Sequence, residues 1–261
     1  MSVSAIYRWH GGGLEPLEYC DMSDVYVAAA DSWLVTDGAV LALDLHRSRF
    51  LHAIDTQRFP ELAPEAFWDA AITAIPRSGD WFPRVELQLR HGAALLVLRL
   101  RSAPERTRSL RLATHRGADP RSSPMVKGPD TEALLRARTD AQELGADEAV
   151  ILSRDGYVVE GAYSSLLWWR GAILCAPALD LDRVDSVTAR SVIALATALG
   201  VEVYYESVTP AELNGVELWA LSALHGVRIA TAWVDGPSTA EEPGRLGTWR
   251  ARLDRLRRPL T

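Results

Sequence analysis

Lysine is all but missing from this chain: of its 28 Lys+Arg residues, only Lys127 is a lysine. On a solvated surface that drift changes little, since arginine and lysine carry the same charge. A retained lysine is of interest because an arginine guanidinium stays protonated, whereas a lysine amine can lose its proton, attack a carbonyl and form an imine. Chance escape of one surface lysine is the competing explanation, and the residues around Lys127 must decide. Cysteine is scarce too. Cys20 and Cys175 stand far apart, outside any CxxC or Cys/His ligand spacing, which argues against a disulfide framework and a zinc site. No apolar run reaches the ~18 residues of a membrane span. The N-terminal MSVSAIYRWHGGG has no basic region followed by a long apolar stretch, so no membrane association is expected and the expected compartment is the cytoplasm. Basic runs are absent, and a formal charge of −6 with a pI near 5.6 disfavours nucleic acid as a partner.

What is present suffices for a sizeable core. Apolar residues make up 48% of 261, with nine tryptophans. Residues 1–45 read as short strands and turns, with a tight hairpin at Asp37-Gly38 between Trp33-Leu34-Val35 and Val40-Leu41. Helical spacing of Phe50, Leu51 and Ile54 predicts a helix from His46 to about Gln57, and Phe67, Ala70, Ala71 and Ala74 predict another over Pro64–Ile75. Residues 84–101 alternate Val85, Leu87 and Leu89 with polar neighbours, as two antiparallel strands around His91-Gly92 would. A stretch rich in Pro, Ser and Arg places a domain connection near 115–124, giving domains 1–118 and 119–261. Beyond it come a helix over Asp130–Leu144 ended by Gly145, strands at 148–153, 157–160, 166–170 and 172–175, and a helix over Val187–Leu199. Strands at 201–206, 216–221 and 227–234 and an Arg-rich helix follow. The fold class is mixed α/β (α+β), two units with much antiparallel strand.

The segment Lys127-Gly-Pro-Asp, followed by GADEAVIL, Asp155-Gly156 and then Glu160-Gly-Ala-Tyr-Ser164-Ser165, resembles the stretch around the catalytic lysine of class IV aminotransferases. That family holds branched-chain aminotransferases, D-amino acid aminotransferases and 4-amino-4-deoxychorismate lyases. LALDLHRSRF resembles its F-x-L-x-x-H-L-x-R-L element and places His46 and Arg49. DSVTARSVIALATALGVEV resembles its D-G-I-T-R helix start, and GVELWALSALHGVRIATAWVDG its late strand and loop. The matches share order and spacing over about residues 40–236.

The resemblance implies a fold-type IV architecture, with pyridoxal 5′-phosphate (PLP) between two α/β domains, in a homodimer whose partner contributes to each site. It implies that Lys127 forms the Schiff base and that Glu160 faces the pyridine nitrogen. Arg49, Ser164, Ser165, Val187, Thr188, Ser222 and Ala223 are implied to hold the cofactor, chiefly its phosphate. Asp31 and His225 fall on the substrate side. The chemistry agrees: a carboxylate at the ring nitrogen keeps it protonated and electron-accepting, and a phosphate suits a helix N-terminus and an arginine. Taken singly, Glu160 also suits a solvated strand end, Arg49 a helix surface, Thr188 an ordinary cap and His46 a packing role at a helix start.

Departures are clear. Asp31 stands at the family's glutamate, Ser165 at its asparagine, Ala189 at its arginine and Ala223 at its late Ser/Thr, and Thr131 and Glu132 replace an aromatic hydroxyl. Chain length and the SALHGVR segment favour an aminodeoxychorismate lyase-like activity, which releases pyruvate and 4-aminobenzoate. The alternatives are an aminotransferase for branched-chain or D-amino acids and a non-catalytic protein on the same fold. Retention of Lys127 argues against the last.

Overall fold

A computed structural model describes residues 4–17, 25–56, 59 and 62–261. Cys20 and Gln57, named above, lie outside the described residues. The chain divides into two compact units: Met1–Glu105 with Val126–Pro129 and Leu256–Thr261, and Arg106–Met125 with Asp130–Arg255. The single cut expected at 118/119 does not coincide with this division. Ser109–Thr114 forms a strand inside the second unit's sheet. Residues 126–129, by contrast, return to the first unit, where the Ala30 N–H donates to the Lys127 carbonyl at 2.6 Å.

The first unit is built on a five-stranded antiparallel sheet. In chain order its strands are β1 (Ser4–His10), β2 (Gly13–Pro16), β3 (Tyr26–Ser32), β7 (Arg84–Arg90) and β8 (Ala93–Arg101), and in space they run β2-β1-β8-β7-β3. Small strands β4 (Val35–Thr36), β5 (Ala39–Val40), β6 (Asp80–Trp81) and β17 (Arg258–Pro259) make a second sheet. The expected hairpin is present. Asp37 and Gly38 both take positive φ, 45° and 72°, as a two-residue primed turn requires. Helices α1 (Leu43–Asp55) and α2 (Pro64–Ala74) lie where the periodicity put them, although α1 starts three residues before His46, after Ala42 in a left-handed conformation. The sheet and helices share a core of Trp33, Phe50, Phe67, Trp68, Val85, Leu87, Leu96 and Leu98. Alternation along β7 puts Val85 and Leu87 in that core and Arg84, Glu86 and Gln88 on the other face. There Glu86 accepts from Arg84 Nε at 2.5 Å, Arg99 Nε at 3.0 Å and Gln88 Nε2 at 2.5 Å, which satisfies a carboxylate that is 2% exposed.

The second unit holds an eight-stranded sheet of order β11-β10-β9-β16-β15-β12-β13-β14. Its strands are β9 (Ser109–Thr114), β10 (Glu148–Leu152), β11 (Val158–Gly161), β12 (Ser165–Arg170), β13 (Ile173–Pro177), β14 (Val203–Glu206), β15 (Glu217–Ser222) and β16 (Gly226–Val234). Most neighbours are antiparallel, with β9 parallel to β10 and β16, and β13 parallel to β14. Helix α3 (Thr131–Glu143) covers β9 and β10, α4 (Val187–Ala198) packs on β12, β14 and β15, and α5 (Arg245–Asp254) packs on β16. The Trp168-Trp169 pair in β12 reads as a continuous apolar run because both sheet faces are covered. Trp168 enters the core of Leu110, Leu112, Leu166 and Leu218, while Trp169 meets Trp219 at 5.3 Å and Trp249 of α5 at 5.4 Å between ring centroids. A short 3-10 turn at Pro210–Leu213 and strands β6 and β17 carry no sequence signal strong enough to predict them.

Candidate functional site

In the first unit, Lys127 is half-buried and its carbonyl extends the hydrogen bonding of β3, the outermost strand of the five-stranded sheet. Close approach requires the glycine that follows. Gly128 has φ +134°, and a Cβ there would stand 2.8 Å from Ala30 N and 2.9 Å from the Ala29 carbonyl carbon. Next along β3, Asp31 is fully buried on the helix-covered face, opposite Val85. Arg49 grips it with both ends of its fork, Nε to Oδ2 and Nη2 to Oδ1, each at 2.8 Å. His46 Nδ1 lies 2.8 Å from the same Oδ1, and the Ser32 N–H donates to it at 2.6 Å. Burial opposes charge on Asp31, but Arg49 and His46 outweigh it and hold the carboxyl well below the usual carboxylate range. Burial also pushes His46 down, only partly offset by Asp31, so the imidazole is held neutral. Asp31, expected to face substrate, is thus turned into the protein and occupied with Arg49. The strand's alternation explains it, because a residue opposite Val85 points toward the helices. His46 takes the packing role foreseen for it, with its ring 5.9 Å from that of Trp33.

In the second unit, Glu160 is the next-to-last residue of β11 and is 5% exposed; it is no solvated strand end. Its Oε1 accepts from Arg121 Nη1 at 2.5 Å, and Arg121 is fixed in turn by Asp119 through Nε at 2.9 Å and Nη2 at 2.7 Å. Burial disfavours the Arg121 charge, yet the Asp119 and Glu160 carboxylates raise its pKa. Ser122 and Ser123 donate backbone N–H groups to Asp130, just ahead of α3, at 2.8 and 2.9 Å. The stretch expected to be a domain connection is a clamped loop that presents Arg121. Its arginines and prolines read as linker composition, and the Asp119-x-Arg121 spacing was the only available signal for this residue.

Ser165 opens β12 and pairs with Leu221, while Ser222 closes β15, so these serines occupy neighbouring strand ends. Ser164 Oγ donates to Glu148 Oε2 at 3.0 Å. Ser222 Oγ accepts the His225 N–H at 3.2 Å across the turn that contains Ala223. His225 Nδ1 accepts from the Thr107 N–H at 3.1 Å. Burial, reinforced by Arg228, Arg138, Arg250 and Arg106, pushes His225 down to about 4. Val187 and Thr188, 3% exposed each, open α4, where Ser186 Oγ caps the helix by accepting the Ala189 N–H at 3.2 Å. A helix start of this kind offers N–H groups and a positive dipole end to an anion. The second unit thus brings Glu160, Ser164, Ser165 and Ser222 to linked strand ends; Arg49, Asp31 and Lys127 belong to the first.

A family model for amino-transferase class IV matches residues 28–233. Over 64 residues the chain is 38% identical to aminodeoxychorismate lyase of Bacillus subtilis (strain 168), a match covering 23% of this chain and 22% of that protein. The solved branched-chain aminotransferase of Thermoproteus uzoniensis superposes with a TM-score of 0.82 at 18% identity, covering 98% of this chain and 100% of the other. A fold IV-transaminase from Curtobacterium pusillum gives 0.81 at 18% identity, with 96% and 99% covered. At such identities these structures share the fold. The family match spans most of the sequence, and the chain belongs to the class IV aminotransferases, a family of PLP-dependent enzymes.

Proposed function

We propose that the chain is an aminodeoxychorismate lyase-like enzyme, which splits 4-amino-4-deoxychorismate into 4-aminobenzoate and pyruvate. The observation that carries this choice over transamination is the 38% identical segment shared with the Bacillus subtilis lyase. The residues fit PLP. Lys127 is the only lysine amine in the chain and so the only lysine able to attach the cofactor aldehyde. Glu160 is a buried carboxylate paired with Arg121, and a carboxylate at this place suits a protonated ring nitrogen. Arg49 and the α4 start with Val187 and Thr188 are assigned to the phosphate, and Ser164, Ser165, Ser222 and Ala223 to its surroundings.

When bound, PLP supplies an electron sink for the pair left by a departing proton. Lys127 removes the proton from the amino-bearing ring carbon. The C–O bond to the enolpyruvyl group then breaks with its electron pair leaving on oxygen. Protonation of that group gives pyruvate as the ring becomes aromatic, and no oxidant or reductant is consumed. His225 lies on the turn after Ser222 and is assigned a weak substrate contact; Asp31 acts through Arg49, whose guanidinium it orients. We further infer a homodimer acting in the cytoplasm; sedimentation would test the first and cell fractionation the second.

The discriminating experiment incubates the PLP-loaded protein with aminodeoxychorismate and, separately, with branched-chain and D-amino acids plus a keto acid. Pyruvate with aminobenzoate supports the lyase; conversion of the keto acid supports transamination. Lys127→Arg keeps the charge but cannot form the imine, so turnover should fall at least about a thousandfold. Turnover at wild-type level in that variant would overturn the assignment.

A further inference from the structure

The turn after Glu160 is held from beneath by a carboxylate that none of the roles above uses. Gly161–Ser164 reverses the chain between β11 and β12, closed by the Gly161 N–H donating to the Ser164 carbonyl at 2.6 Å and the Ser164 N–H to the Gly161 carbonyl at 3.3 Å. Glu148, the first residue of β10, is 1% exposed. Its Oε1 accepts the Tyr163 N–H at 3.2 Å and its Oε2 the Ser164 hydroxyl at 3.0 Å. A Cβ on Gly161 would stand 2.5 Å from Ser164 Oγ and 3.0 Å from Glu148 Cγ, so turn and carboxylate are in close contact.

Behind Glu148 stands Arg228, 5% exposed, with Nη2 3.9 Å from Oε2 and a buried Nε that has no partner among the described residues. Burial raises the pKa of Glu148 and lowers that of Arg228, so desolvation costs both members of the pair. An apolar pair of equal volume could fill this space without that cost. It could not accept from Tyr163 and Ser164. Fixing the turn is what the carboxylate supplies and an apolar residue would not.

We propose that Glu148 is a positioning residue: through the Tyr163 N–H and the Ser164 hydroxyl it sets the turn that aims Glu160 and Ser165 at the cofactor. The proposal rests on the reading of Glu160 as the partner of the ring nitrogen. Ser164, on this view, contributes as a link in the brace, since its hydroxyl is spent on Glu148.

The test compares Glu148→Gln and Glu148→Ala with Glu160→Gln and wild type. Glutamine keeps the volume but offers one acceptor oxygen where the carboxylate offers two. In the protein without PLP, amide exchange at Tyr163 should rise at least about tenfold in both Glu148 variants, as expected when an amide loses its acceptor. In the PLP-loaded protein, kcat should fall about ten- to a hundredfold with KM nearly unchanged, because a misaimed group harms the chemical step. The cofactor absorbance band should shift as it does in Glu160→Gln. Should Glu148→Ala fail to fold, Glu148→Gln carries the test alone. Wild-type kcat and absorbance in Glu148→Gln, beside a crippled Glu160→Gln, would overturn the proposal and leave the reading of Glu160 intact. Wild-type turnover in Glu160→Gln would remove that reading and the proposal with it.

Discussion

Arg49 shows how one side chain acquires a fixed direction. Asp31 takes its Nε and Nη2, which sets the guanidinium plane and leaves rotation about the side chain little freedom. A charge-assisted hydrogen bond contributes about 1.5–3 kcal/mol, so losing the arginine should weaken PLP retention about tenfold or more. Arg49→Ala should therefore lose PLP on dialysis and recover turnover in excess cofactor, whereas Asp31→Asn, which keeps the arginine but loosens it, should lose less. Fluorescence titration with PLP checks both, and wild-type affinity in Arg49→Ala would refute the phosphate role. His225 yields a pH prediction. Its folded pKa, about 4, lies below the ordinary 6.5, so the unfolded chain takes up this proton first. Its contribution to stability is complete above pH 6.5 and is lost as pH falls toward 4. Melting temperature should drop across that window, and less steeply in His225→Gln.

Glycine 128 governs how residues 126–129 seat on β3. Substituting alanine would push a methyl into the Ala30 backbone at a positive φ, a strain worth about 1–3 kcal/mol. Gly128→Ala should lower the melting temperature and PLP affinity together; an unchanged affinity would show that the backbone here does not place Lys127. The elements with strong periodicity, such as α2, α4 and the β7–β8 hairpin, were readable because one face of each is apolar and the turn residues carry positive φ. Lys127, Glu160 and Thr188 are proposed for the site from motif order. Arg121 and Glu148 are not. Arg121 reaches distant Glu160 as well as nearby Asp119, and Glu148 reaches Tyr163, Ser164 and Arg228; pairings across that distance leave no pattern in composition or period. Asp31 is expected on the substrate side only because the family's glutamate stands there; in the structure its carboxylate is taken up by Arg49 and His46.

The backbone passes from one unit to the other four times, at 105/106, 125/126, 129/130 and 255/256. A fragment ending at 118 would carry β9 without its sheet neighbours β10 and β16, and would lack both 126–129 and β17. It should show no cooperative unfolding and a flat near-ultraviolet circular dichroism signal. A sharp melting transition in that fragment would mean that the first unit does not depend on its distant pieces.

The same path bears on how the protein is made. As the chain leaves the ribosome, β3 is ready long before residues 126–129 arrive to cover its edge, and β5 waits longer still for β17, just past which the Leu260 N–H donates to the Gly38 carbonyl at 2.7 Å. The first unit to be synthesised is thus among the last to be finished. An open strand edge in a nascent chain is a template for pairing with another molecule, so aggregation during expression should begin at β3, and should respond to chaperones that hold the chain until its later segments emerge.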